Sequence, residues 1–171
     1  MIVDERLVTY INSLDTGNTE ILDQIEKEAI AAYVPIIRKE MQSFLKLLLA
    51  MQKPMRILEV GTAVGFSAIL MAQYAPADCK IVTIENYEKR IPVAKENFKR
   101  AGKDEQITLL EGDAMQILPT LSGEFDMIFM DAAKGQYINF MPDILRLLKS
   151  GGVLVSDNVL QDGDIIESHY V

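Results

Sequence analysis

The sequence predicts one α/β unit, a doubly wound, Rossmann-like parallel sheet preceded by a helical N-terminal extension. Three observations carry this. From Arg56 onward, short runs rich in Ile, Val and Phe alternate with longer segments of helical period. Each run is mostly apolar, as strands buried on both faces are. The helical segments close on glycines such as Gly102 and the Gly151-Gly152 pair, where a helix stop is expected. With 49% hydrophobic and 25% charged residues, 10 Gly, 6 Pro and one Cys in 171 residues, the composition excludes disorder, collagen and a disulfide framework.

Taken in order, the elements begin after the turn-rich stretch 13–18. Ile21, Leu22, Ile25 and Ala29 recur at helical spacing with Asn18 as N-cap, and Pro35 interrupts the pattern. Met41, Phe44, Leu45, Leu48 and Leu49 then line a second helix that ends before Pro54, with Met41 and Met51 as core filler. Strands are expected at 56–60, 80–85, 107–111, 125–131 and 153–157. Helices are expected at 67–74, 87–101, 114–118 and 137–148. Without repeat or linker, residues 1–171 read as one domain: extension 1–53, core 54–160, and a C-terminal part 161–171.

No run approaches the roughly 20 uncharged apolar residues of a membrane span, and acids stand at the N-terminus where a secretory signal has a basic start. A cytoplasmic protein is expected. Cys79, alone, fits a reducing compartment and a buried position, and His169 reads as a bystander. The net charge of −8 repels polyanions at long range. Running the other way, Lys89, Arg90, Lys95, Lys99, Arg100 and Lys103 gather on one segment, either to meet phosphates or as a solvated helix face.

In a doubly wound sheet, ligands sit at the carboxyl ends of the strands. Those ends are Glu59-Val60-Gly61, Glu85, Gly112-Asp113, Asp131 and Asp157-Asn158. Carboxylates crowded on one rim repel unless cations or hydroxyl donors lie among them. Gly61-Thr62-Ala63-Val64-Gly65 follows the first strand, where a glycine turn lets a nucleotide come close. Ala63 and Phe66 break the G-x-G-x-x-G pattern of a dinucleotide site, and no phosphate loop of the G-x-x-x-x-G-K-[ST] type occurs. Glu85, 24 residues after Gly61, is spaced to reach ribose hydroxyls. The ligand reads as a nucleoside without a phosphate chain.

The segments 57–67, Glu85, 112–114, 130–137 and 156–159 together resemble the cation-dependent, catechol-type O-methyltransferases that use S-adenosylmethionine, over about residues 34–160. The Asp131-Ala132-Ala133-Lys134 stretch is most similar to the bacterial branch containing tRNA 5-hydroxyuridine methyltransferases. The resemblance implies that Glu59 and Gly61 flank the cofactor's methionyl part, Ser67 helps hold its carboxylate, and Glu85 takes the ribose. It also implies that Asp113 and Ala114 border adenine, that Ile36 and Asp131 touch the cofactor, and that the chain forms a homodimer through its N-terminal helices. Members of that family usually continue forty to fifty residues beyond the Asp157-Asn158 motif with two further strands, so the seven-stranded sheet is expected to lack its last strands here.

Asp131, Asp157 and Asn158 offer three hard oxygen donors, which suits Mg²⁺ or another divalent cation. A dication there chelates two vicinal substrate oxygens and stabilises the anion of a hydroxyl. Lys134, three residues past Asp131, is the candidate general base, its ammonium form disfavoured by a neighbouring dication. Tyr137 is expected at the substrate mouth. Both a small phenolic catechol and 5-hydroxyuridine of a tRNA anticodon have vicinal oxygens. The branch resemblance points to tRNA and the net charge to the phenol; 5-hydroxyuridine in tRNA, giving 5-methoxyuridine, is the favoured acceptor and the small catechol the alternative. Rivals of other classes are a non-catalytic S-adenosylmethionine sensor, against which Lys134 argues, and a dehydrogenase, against which Ala63 argues.

Overall fold

The computed structural model describes residues 4–159, apart from the Lys134 side chain. The expectations for His169 and for residues 161–171 lie outside the described residues. Five strands, β1 (Arg56–Val60), β2 (Lys80–Glu85), β3 (Ile107–Glu111), β4 (Phe125–Met130) and β5 (Leu148–Ser156), form one parallel sheet in the order β3-β2-β1-β4-β5. The chain order reverses between β1 and β4, the switch point at which such sheets open a crevice.

Because successive strand residues face opposite sides, Ile57, Met127 and Phe129 enter one core layer and Leu58, Ile128 and Met130 the other. Helices α2 (Glu20–Ala31), α3 (Lys39–Gln52), α4 (Phe66–Tyr74) and α5 (Ile91–Arg100) supply the first layer, while α6 (Ala114–Ile117) and α7 (Tyr137–Leu147) cover the second. Helix α4 is buried from Phe66 to Ala72 and so has no polar face. Cys79 is buried, as its sequence context implies, and burial pushes its thiol up to about 11.

Several boundaries differ from expectation. A further helix, α1 (Glu5–Ser13), precedes the others, capped by the Asp4 carboxylate, which accepts from the Arg6 N–H. Its apolar residues have helical spacing, yet none is buried, so no core pattern announces it. Thr19, not Asn18, occupies the N-cap of α2, and the Asn18 amide donates to Gln42 on α3 instead. Helix α5 starts at Ile91, after a turn at 88–90 and with Pro92 in its first turn. Gly151 and Gly152 do not stop α7. They lie inside β5, where the register jumps from Phe125↔Leu148 to Met127↔Val153, with Gly151 at φ 79° and Gly152 against the Asp126 carbonyl. Among the described residues no helix is long and apolar enough to cross a membrane.

The parallel register brings the strand ends to one rim. Gly61 N–H bonds the Ile84 carbonyl, Gly112 that of Glu85, Asp131 that of Val60, and Asp157 that of Met130. Four of the five residues that follow a strand are therefore stitched to the end of a neighbour, and Asn86, after β2, donates to the Glu85 carboxylate instead.

Candidate functional site

A cavity of about 700 Å³ opens at this rim, walled by the Gly61–Ala63 turn, Ser67, Asp131, Asp157 and Asn158 and roofed by Ile36 and Arg38 of the α2–α3 loop. A second cavity of about 250 Å³ adjoins it, sharing Gly61, Ala63, Arg90 and Asp131 and adding Glu85, Asp113 and Ala114. Of the site residues singled out in the sequence, Glu59 and Tyr137 do not line this pair of cavities, Glu59 standing behind the wall, and the Lys134 side chain lies outside the described part.

The glycine turn serves the protein before any ligand. A Cβ on Gly61 (φ 103°) would run into the Asp131 carbonyl, and one on Gly65 (φ 85°) into the Phe98 ring of α5. The positions that side chains would take at these two glycines are thus filled by the Asp131 backbone and by α5, while Gly61 itself still lines both cavities. Between them Ala63, itself left-handed at φ 47°, donates its N–H to Glu85 Oε2 at 2.7 Å. Glu85 Oε1 accepts from the N–H groups of Asn86 and Tyr87. One carboxylate thereby locks the turn after β1 to the end of β2. Asp113 accepts from the Met115 N–H as N-cap of α6, which places Ala114 at the cavity floor.

Glu59 is fully buried. Its Oε1 accepts from Ser67 Oγ and its Oε2 from Thr83 Oγ1, each at 2.5 Å, and Thr83 Oγ1 lies 2.5 Å from Thr62 Oγ1. Burial pushes the carboxyl up to about 7. The two hydroxyl donors oppose that rise, and the charges of Asp131 and Glu85 add to it.

Asp131 and Asp157 follow adjacent parallel strands, and Asn158 (φ 58°) turns beside them with its N–H on Asp157 Oδ1. Two carboxylates and an amide oxygen facing one cavity make a hard donor set suited to a small dication completed by water and substrate oxygens. Among the described residues no cluster of three His, Cys, Asp or Glu offers a competing site. Lys134 opens a 3-10 turn, Lys134–Gln136, that leads into α7. Tyr137 is not at the mouth: at the start of α7 its side chain is buried in the second core layer, and its hydroxyl reaches the carbonyls of Met130 at 2.9 Å and Asp157 at 3.2 Å.

Three contributors escaped the sequence reading. Arg90 borders both cavities and stacks on Tyr87, but in the sequence it is one of six clustered cations. Arg38 roofs the larger cavity. Thr83 was visible as the lone polar residue inside the apolar run 81–84, a signal of a buried hydrogen bond.

Fold and site together define a class: an α/β protein with a nucleoside-sized crevice at the switch point and a hard-oxygen acidic corner beside it. The O-methyltransferase family profile matches residues 12–170. The chain is 39% identical over 130 residues to a catechol O-methyltransferase of Niastella koreensis, covering 74% of this chain and 59% of that protein. It is 35% identical over 160 residues to one of Mycobacterium tuberculosis, covering 92% and 73%. Among solved structures, the O-methyltransferase TomG from Streptomyces achromogenes in complex with SAM superposes with a TM-score of 0.86 at 31% identity, over 98% of this chain and 79% of that one. The chain belongs to the O-methyltransferase family. It spans less than two thirds of the length of the Niastella relative.

Proposed function

We propose that this protein transfers the methyl group of S-adenosylmethionine to a hydroxyl flanked by a second oxygen, with a small catechol-type phenol as acceptor. The observation that carries this is the junction of two unlike half-sites in one crevice: Glu85, Asp113 and Ala114 on one side of the Gly61 turn, Asp131, Asp157 and Asn158 on the other.

In this reading Glu85 accepts from the ribose hydroxyls while anchored by three backbone N–H groups, so its position is fixed before ligand arrives. Asp113 and Ala114 border the adenine, Ser67 and Gly61 the amino-acid end, and Ile36 closes the crevice from the extension. Asp131, Asp157 and Asn158 hold Mg²⁺ or another divalent cation, whose charge stabilises the anion of an acceptor hydroxyl. Lys134, on the turn after Asp131, takes the hydroxyl proton. The walls then hold oxygen and methyl donor in line, and orientation supplies much of the acceleration.

A tRNA acceptor has less support than the resemblance implies. Lys95 pairs with Glu111, Arg100 with Glu28, and Lys103 bonds the Ala72 carbonyl, so the basic segment is not one continuous face for phosphates. The named relatives point the same way, as catechol O-methyltransferases. Labelled methyl transfer to a simple catechol and to hydroxyuridine-bearing tRNA, run side by side, decides it. Catechol is expected to win, and preferential labelling of tRNA would overturn this choice. Changing Lys89, Lys95 and Lys99 to Glu is then expected to leave catechol turnover intact.

A further inference from the structure

A hydroxyl has one proton to give, which makes the chain behind the cavity wall directional. Ser67 gives its proton to Glu59 Oε1 and Thr83 gives its proton to Oε2. Thr83 Oγ1 can then only accept from Thr62. Glu59, fully buried and without a lysine, arginine or histidine partner among the described residues, is the common end of two hydroxyl chains. Both chains start at residues of the cavity wall, Ser67 and Thr62. While Glu59 is ionised, every proton in them points inward and the wall presents lone pairs. When Glu59 is protonated it must donate to one hydroxyl, and that chain turns its proton outward. The wall suits a cation in the first state and not in the second.

We propose that Glu59 couples cofactor binding to proton release: the cationic ammonium end of the cofactor, and not the carboxylate that the resemblance assigns to Ser67, binds where Ser67 and Thr62 present lone pairs, and the Glu59 proton leaves to solvent. This rests on the cofactor reading of the cavity given above. The groups facing Glu59 from the neighbouring elements are Ser67 on α4, Thr83 and Glu85 on β2, and Asp131 at the end of β4. None of these is a cation; Arg38 and Arg90 line the same cavity, and the proposal places the ligand's ammonium against the two hydroxyls of Ser67 and Thr62. Because the free carboxyl titrates near neutrality, the coupling falls in an accessible pH range.

The test is calorimetric titration of the intact protein with S-adenosylhomocysteine, which has the ammonium group and no transferable methyl. Chelator is kept present throughout, and each titration is repeated in buffers of different ionisation enthalpy. The expected result is release of up to one proton at pH 6.5 and affinity that rises up to about tenfold from pH 6 to pH 8. Adenosine, which lacks the amino-acid end, is expected to bind with no proton release. Glu59→Gln is expected to flatten the pH dependence, whereas a merely structural role would lower affinity equally at every pH. Thr83→Val, which removes one donor, is expected to move the transition to higher pH while keeping the release. Binding with no proton exchange, or with proton uptake, overturns the proposal. Failure of either ligand to bind at any pH overturns the cofactor reading instead.

Discussion

At Tyr137 a single hydroxyl reaches the carbonyls of Met130 and Asp157, the ends of the two strands that deliver the acidic corner. Tyr137→Phe keeps the packing and removes that clasp. It is expected to weaken Mg²⁺ binding about tenfold, read by calorimetric titration, and to lower stability by about 1 kcal/mol, read by thermal melting. Lys134→Met is expected to lower kcat by about 10² to 10⁴ with the KM for cofactor unchanged, measured in steady state. Glu59 governs stability as well as binding. Its folded-state value lies above the ordinary 4.5, at about 7, so the native form holds the proton more tightly. That contribution is present below pH 4.5 and lost as pH rises through 7. Glu59→Gln, neutral throughout, should melt close to wild type at pH 5 and above it at pH 8.5, by on the order of 3 kcal/mol. Equal melting shifts at both pH values would contradict a buried titrating carboxyl. Asp131, Asp157 and Asn158 were legible as single letters because the carboxyl ends of parallel strands share a rim. Thr62, Thr83 and Arg90 were not, since what matters in them is the partner each finds across 21 or more residues of chain or across the cavity wall.

Elements follow the same logic. Short apolar runs set β1, β2 and β3 to the residue, with a charged side chain at an end of each, Arg56, Lys80 and Glu85, and Glu111, marking the limit. Helix α1 has apolar residues at helical spacing, but Leu7, Tyr10 and Ile11 remain more than half exposed, so they mark no core face. The start of β5 was missed because glycines signal helix stops and bulges alike. What anchors that start is Asp126 on β4. Its Oδ2 accepts from the N–H groups of Met55 and Arg56 and its Oδ1 from Lys149 Nζ, and these donors hold its carboxyl below the ordinary 3.8, the Lys149 bond most of all. Asp126→Ala therefore should destabilise the protein by about 2 kcal/mol at pH 7. With a lowered folded-state value, the stabilisation is present above 3.8 and lost as pH falls through the native value. The gap between variant and wild-type melting temperatures should close on acidification, and a gap constant with pH would exclude the carboxylate as its source.

For the whole molecule, the N-terminal extension completes the crevice, because Ile36 and Arg38 roof it and Val8 of α1 reaches its edge. The outer face of α1 leaves Leu7, Tyr10, Ile11 and Leu14 uncovered, and a second copy of the chain is the proposed cover. Light scattering is expected to give a dimer, and Ile11→Glu a monomer; a monomeric wild type would remove that proposal. The central claim is that one rim unites a nucleoside half-site with a cation-dependent corner. Its most direct measurement is labelled methyl transfer to a catechol by wild type with Mg²⁺, wild type with chelator, and Asp157→Ala with Mg²⁺, with S-adenosylhomocysteine affinity determined for each. The account predicts transfer only in the first, with cofactor-product affinity retained in all three. Undiminished transfer in chelator, or by Asp157→Ala, would contradict it.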